Sequence, residues 1–186
     1  MSTAHALAPF VLADDEGAPV ELGTLWRDQI AVLVYVRHFG CLLCREQVSR
    51  LSRIVPELRA LGANVVVVGS GRPQFARAFR EDLALDVPIL VDPDLVSYRA
   101  AGMQRTLRAT VSLGLLKNAW RAYRAGHRQR AVEGDPWQQG GVLVLGPGDR
   151  DVYTYISQVA GDHPDEAEIV AAVRRATAER ASSSAA

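Results

Sequence analysis

Cys41 and Cys44 are the chain's two cysteines, three positions apart in Arg37-His38-Phe39-Gly40-Cys41-Leu42-Leu43-Cys44-Arg45-Glu46. A pair spaced at less than one helical turn suits thiol–disulfide chemistry, in which one sulfur attacks and the other closes an internal disulfide. If Cys41 opens a helix, the unpaired backbone N–H groups and the helix dipole favour its thiolate. Arg37, His38 and Arg45 are expected to add positive charge beside it. Each influence lowers a thiol pKa from its free value of about 8.5. The spacing therefore predicts Cys41 as nucleophile and Cys44 as resolving thiol, with Arg37, His38, Gly40 and Arg45 in support. His38 could also serve as a base or an electrostatic partner.

Other chemistries have less to stand on. Half of a zinc site is the usual competitor for C-x-x-C, but the four histidines, His5, His38, His127 and His163, are scattered without ligand spacing. No metal and no cofactor is expected. Lysine-based covalent catalysis would have to use Lys117, the single lysine. Two further stretches are candidates for substrate contact. Gln138-Gln139-Gly140-Gly141 precedes an apolar run, and such a loop lets a substrate backbone approach closely, although a plain turn reads equally well. Trp120 lies with Tyr123 in a basic stretch that could hold an anionic or lipid-like molecule; a solvated helical face is the blander alternative.

The elements that must position the cysteines follow from periodicity. Ile30 to Val36 is a continuous, β-branched apolar run, the mark of a strand buried on both faces. Cys44, Val48, Leu51, Val55 and Leu58 then recur at helical steps, with Pro56 expected to kink the helix and Gly62 to cap it. Asn64 to Val68 reads as a second buried strand, which makes a βαβ unit. Before this unit, Pro9 to Leu12 and Pro19 to Leu22 read as a hairpin. After it come a helix over 73–83, a strand over 88–91 and a short helix over 95–102. Gly141 to Leu145 and Asp151 to Ile156 flank the turn Gly146-Pro147-Gly148-Asp149. An amphipathic helix over 165–180 closes the chain.

The 186 residues are enough for one domain, and 48% hydrophobic with 23% charged residues is ordinary globular composition. Lys+Arg and Asp+Glu both total 21, which gives no electrostatic case for a nucleic-acid partner. No apolar run approaches the roughly 20 residues of a membrane span. Residues 1–13 lack a basic start and run into Asp14, Asp15 and Glu16, unlike a signal peptide. A cytoplasmic location is expected. Residues 1–181 read as one domain, with a basic helical insert at about 103–133 before the last hairpin and a disordered tail over 182–186. Self-association as a homodimer could use an edge strand or that insert.

Several motifs resemble one family. Pro9 to Gly17, Leu22 to Trp26 and the strand leading to Cys41 are similar to the opening of alkyl hydroperoxide reductase/thiol-specific antioxidant proteins, and Val87 to Pro93 is similar to their middle strand and turn. Gly40 to Glu46, Leu113 to Ala122 and Gln139 to Val142 resemble the peroxiredoxin-like subfamily that includes prostamide/prostaglandin F synthase. The resemblance implies an α/β, thioredoxin-like fold, a central mixed sheet flanked by helices. It also implies thiol-dependent reduction of a peroxide, an endoperoxide or a disulfide, recycled by a thioredoxin-like or low-molecular-weight thiol. A protein disulfide oxidoreductase and a non-catalytic binding module are the alternatives. Ordinary peroxiredoxins carry Thr three residues before the attacking Cys and Pro seven before it; here His38 and Val34 stand there.

Overall fold

The computed structural model describes residues 1–105, 135, 137–159 and 161–184. Its centre is the buried run read from the sequence: β3 (Ile30–Val36) has all seven residues buried. It pairs in parallel with β4 (Ala63–Gly69) and antiparallel with β6 (Gly141–Gly146). β5 (Ile89–Val91) extends the parallel part beyond β4. A hairpin of β1 (Val11–Asp14) and β2 (Pro19–Glu21) closes one edge, and β7 (Arg150–Ile156) closes the other. The seven strands run β2-β1-β5-β4-β3-β6-β7 in one mixed sheet.

Because side chains alternate along a strand, β3 feeds two cores. Ile30, Val32, Val34 and Val36 face α2 (Leu42–Ser52), α3 (Val55–Ala60), α4 (Pro73–Leu83) and α6 (Glu166–Ser184). Ala31, Leu33 and Tyr35 face the other layer, made by α1 (Thr3–Leu7), Trp26 and α5 (Val96–Ala100). The expected kink at Pro56 is a full break: α2 ends at Ser52 and Pro56 sits in the first turn of α3, where its missing N–H is harmless. Gly62 follows α3 at φ +79°, the left-handed conformation that glycine takes most easily.

Three details depart from the sequence reading. α1 was absent from it, as was the 3-10 turn at Leu22–Leu25. The tail expected to be disordered from Ser182 continues α6 to Ser184; the sequence from Asp165 onward has no Gly or Pro to stop it, and Ser182 Oγ donates to Ala178 O at 3.0 Å. Met103, where the basic insert is expected to begin, is a core residue with 1% exposure. Positions 106–134, including Trp120, lie outside the described residues. Among those described, no helix is long and apolar enough to cross a membrane.

Candidate active site

β3 ends at Val36, and residues 37–40 turn the chain into α2. This places the motif at the carboxyl end of two parallel strands, where α/β sheets gather their ligands. Two hydroxyls fix the junction. Ser70, just past β4, donates from Oγ to Arg37 O at 2.6 Å and accepts from Asp135 N at 3.1 Å. The Tyr98 hydroxyl, beneath, lies 2.5 Å from Val36 O and 3.1 Å from Val68 O, so it ties together the ends of β3 and β4. Asp92 positions Tyr98 by accepting from Val96 N and Ser97 N at the start of α5.

Cys41 is the N-cap of α2. Its Sγ accepts from Cys44 N at 3.2 Å, and its carbonyl accepts from Arg45 N at 3.0 Å. A sulfur in this place satisfies one of the orphan N–H groups of the first turn and is repaid as an anion. Both cysteines are free thiols and both are buried. The Cys41 thiol is lowered to about 7, chiefly because the Cys44 thiol donates a hydrogen bond to it. Burial opposes this, while Arg37 and the N–H groups of Cys44 and Leu43 assist. Cys44 is pushed well above its ordinary value by burial and by its role as donor to Cys41. At pH 7 about half of the molecules therefore carry a negative charge on Cys41, with the Cys44 thiol keeping its proton.

The supporting residues behave unequally. Arg37 supplies the cationic contribution to both sulfurs. His38 does not carry the positive charge expected of it. Burial, followed by the neighbouring Arg37, lowers it to about 4, against a weaker upward pull from Asp135. A neutral imidazole adds no charge to the site at pH 7. Arg45 turns away from the sulfurs, with Nη1 at 3.2 Å from Asp82 Oδ2 and its guanidinium 5.6 Å above the Phe79 ring. Gly40, the residue before Cys41, lines with Phe39 and Arg45 a cleft of about 450 Å³ that extends to Phe75 and Phe79 on α4.

Gln139, Gly140 and Gly141 do lie near this end of the sheet, since β6 starts against the end of β3. Their smallness meets the protein's own backbone. A Cβ at Gly140 would stand 2.5 Å from Tyr35 O, and one at Gly141 would stand 2.4 Å from Tyr155 O. The close approach that the sequence suggested for a substrate is here made by β3 and β7. Gln139 Oε1 accepts from Gln104 N at 2.9 Å, and Asp135 pairs with Arg105, so the two ends of the insert are stitched together beside Ser70.

Sequence reasoning missed Ser70, Tyr98, Asp135 and the phenylalanines of α4. Ser70 could have been found, because it follows a parallel strand at its carboxyl end. Phe39 had a signal too, in Gly69: a Cβ there would lie 2.3 Å from the Phe39 ring, so the bare backbone makes the space in which that ring rests. Phe39 in turn packs on Phe79 at 5.4 Å between centroids.

Comparison with known proteins gives a consistent answer. The profile of AhpC/TSA antioxidant enzymes matches residues 50–158, a span that starts just after the two cysteines. The chain is 33% identical over 180 residues to thioredoxin-like protein AAED1, chloroplastic, from Arabidopsis thaliana, covering 91% of this chain and 72% of that protein. It is 31% identical over 172 residues to human peroxiredoxin-like 2C, covering 86% and 75%. Prostamide/prostaglandin F synthase of Danio rerio is 29% identical over 164 residues, covering 84% and 80%. Among solved structures, peroxiredoxin Q of Xanthomonas campestris superposes with a TM-score of 0.67 at 16% identity, covering 93% and 94%, a likeness of fold.

Proposed function

The chain belongs to the AhpC/TSA antioxidant enzyme family, thiol-dependent oxidoreductases on a thioredoxin-like fold, and from that premise we propose that it is a two-cysteine peroxidase in which Cys41 attacks and Cys44 resolves. The observation that carries this reading is the asymmetric pair at the head of α2, with one sulfur lowered to about 7 and its neighbour raised.

The Cys41 thiolate attacks one oxygen of a peroxide or endoperoxide and the O–O bond breaks. With a hydroperoxide attacked at its terminal oxygen, sulfur is oxidised by two electrons to the sulfenic acid and the departing alkoxide takes a proton from solvent; with an endoperoxide, sulfur becomes a sulfenate ester of one oxygen and the other oxygen takes the proton. The Cys44 thiol then displaces hydroxide, or the ester's alkoxide, from that sulfur, its own proton leaving with it as water or alcohol, and an internal disulfide remains. An external dithiol, thioredoxin-like or of low molecular weight, returns both thiols by exchange. The reaction fits a reducing compartment such as the cytoplasm, which keeps the resting pair reduced.

The test mixes reduced protein with organic hydroperoxide, thioredoxin, its reductase and NADPH. Wild type should consume NADPH, Cys41→Ser should not, and Cys44→Ser should accumulate a sulfenic acid that a dimedone-type reagent traps. Mass spectrometry of oxidised wild type should show the Cys41–Cys44 disulfide. Equal NADPH consumption by wild type and Cys41→Ser would refute the assignment.

A further inference from the structure

We propose that Tyr98 is a positioning residue for the resolving step, acting on Cys44 through the peptide unit that joins Val36 to Arg37. The proposal rests on the reading of Cys44 as the resolving thiol.

That peptide unit has a partner at each end. In a planar trans peptide the C=O and the N–H point in opposite directions. On one side the Tyr98 hydroxyl donates to Val36 O, the nearer of its two acceptors at 2.5 Å, against 3.1 Å for Val68 O. On the other side Arg37 N–H donates toward Cys44 Sγ and favours its thiolate. A hydrogen bond accepted by a carbonyl polarises its peptide and strengthens the bond that the same unit donates. Ser70 does not share this position. It bonds Arg37 O, and the N–H of that unit belongs to His38.

Resolution draws on this donor. After a hydroperoxide has reacted, Cys44 gives up its proton and attacks the Cys41 sulfenic sulfur. The S–S bond forms, the S–O bond breaks, and hydroxide leaves with that proton as water. Burial resists the charge that gathers on Cys44, and the N–H of Cys44 itself is engaged by Cys41 Sγ. Arg37 N–H is thus a backbone dipole already aimed at the sulfur where charge develops. Tyr98 is set in place beforehand. It is fully buried and meets Tyr35 edge-on at 4.8 Å between ring centroids. Asp92 fixes the start of α5 by accepting from Val96 N at 3.0 Å, Ser97 N at 2.7 Å and Ser97 Oγ at 2.6 Å. Burial above all, with Tyr35, Asp92 and Cys44 adding to it, pushes the Tyr98 phenol well above its ordinary range, so it stays a donor through the neutral range.

Two measurements on the full chain test this. In the Cys41→Ser background, the pH curve of Cys44 alkylation by iodoacetamide reads the resolving sulfur without any turnover. Adding Tyr98→Phe should move its midpoint upward by about half a unit to one unit, the three- to tenfold worth of an ordinary hydrogen bond. Val66→Ala, which hollows the same buried layer, should leave it in place. With both cysteines present, rapid-quench mass spectrometry after one addition of cumene hydroperoxide counts sulfenic acid and disulfide. Tyr98→Phe should keep the rate of attack and slow disulfide closure about three- to tenfold. Equal slowing of the two steps, or a midpoint moved as far by Val66→Ala, would mean general loosening and overturn the proposal. Site-specific 3-fluorotyrosine in place of Tyr98 keeps the ring and makes the phenol a stronger donor, so the midpoint should move downward. An unmoved midpoint there overturns the proposal even if Tyr98→Phe fails to fold. A shifted Cys44 midpoint in a chain that does not consume peroxide would keep the coupling and discard the peroxidase; peroxide turnover with an unmoved midpoint would do the reverse.

Discussion

Replacing Cys44 by alanine removes the proton that Cys41 accepts, whereas Cys44→Ser leaves a hydroxyl donor in the same place. The Cys44 thiol is the largest influence on Cys41, taking it from an ordinary 9.0 to about 7. If alanine returns the pKa toward 9.0, the thiolate fraction at pH 7 falls from about one half to about one in a hundred, close to fiftyfold. A more basic thiolate is also a better nucleophile. With a Brønsted slope of about 0.4–0.5, two pH units restore roughly six- to tenfold. The net expectation is that iodoacetamide alkylates Cys41 about five- to eightfold more slowly at pH 7 in Cys44→Ala. The rate–pH curve should have its midpoint shifted upward by up to about two units. Cys44→Ser should stay near wild type. The assay is the initial alkylation rate across pH 5–10, with circular dichroism confirming the fold. A Cys44→Ala midpoint that remains near 7 would refute the hydrogen bond as the cause and leave Arg37 and the helix terminus to account for the shift.

Three further outcomes follow from other parts of the site. His38, lowered to about 4 by burial, takes up a proton in the unfolded chain below about 6.5 but refuses it when folded. Its contribution to stability is therefore complete above pH 6.5 and declines by about 1.4 kcal/mol per unit, roughly 3 kcal/mol in all, as pH falls to 4. Urea denaturation at pH 7 and pH 4 should show that loss reduced in His38→Asn, and an unchanged loss would contradict the assignment. Gly69→Ala drives a methyl into the Phe39 ring, so it should destabilise by about 1–3 kcal/mol and slow Cys41 alkylation. Phe39→Leu in the same chain should restore part of both, and strict additivity would show that the two positions do not meet. Tyr98→Phe strips its donor from Val36 O and Val68 O; thermal melting should reveal a loss of about 1–3 kcal/mol.

What could be read in advance was set by local sequence. β3 was visible as seven consecutive apolar residues because packed layers cover both faces of the sheet there, and α4 over 73–83 because Phe75, Phe79 and Leu83 recur along one face between Pro73 and the left-handed Ala84. α1 was invisible for the opposite reason. Its first N–H groups are satisfied by Asp151, with Thr3 N at 2.7 Å and Ala4 N at 2.8 Å, and Trp26 holds Asp149 beside it. The one local signal is Ser2, which caps the helix by accepting from His5 N at 3.1 Å, and five residues are too few for a periodicity to reinforce it. The same limit applies within the site. Cys41 and Cys44 were legible from spacing, yet Ser70, Tyr98 and Asp135 reach the junction only through the sheet. Charge was the least legible property. Arg37, His38 and Arg45 look alike on paper as cations near a thiol, and burial separates them: one acts on the sulfurs, one is neutral, and one is held on α4.

That separation bears on how the two cysteines divide their labour. Burial penalises an anion on either sulfur, so depth alone would leave both protonated. The helix terminus breaks the tie, because its free N–H groups point at Cys41 while Cys44, one turn in, has already spent its own N–H on Cys41 Sγ. Once Cys41 carries the charge, its field raises Cys44 further and keeps the resolving proton in place. Oxidation of Cys41 to a neutral sulfenic acid removes that field, and the Cys44 thiol becomes easier to ionise just when it is needed. The order of attack and resolution is thus written in position along α2, and exchanging serine for one cysteine at a time should reveal it: the Cys41 thiol left in Cys44→Ser alkylates readily at pH 7, and the Cys44 thiol left in Cys41→Ser does not. Comparable rates for the two would mean that the helix terminus does not distinguish them.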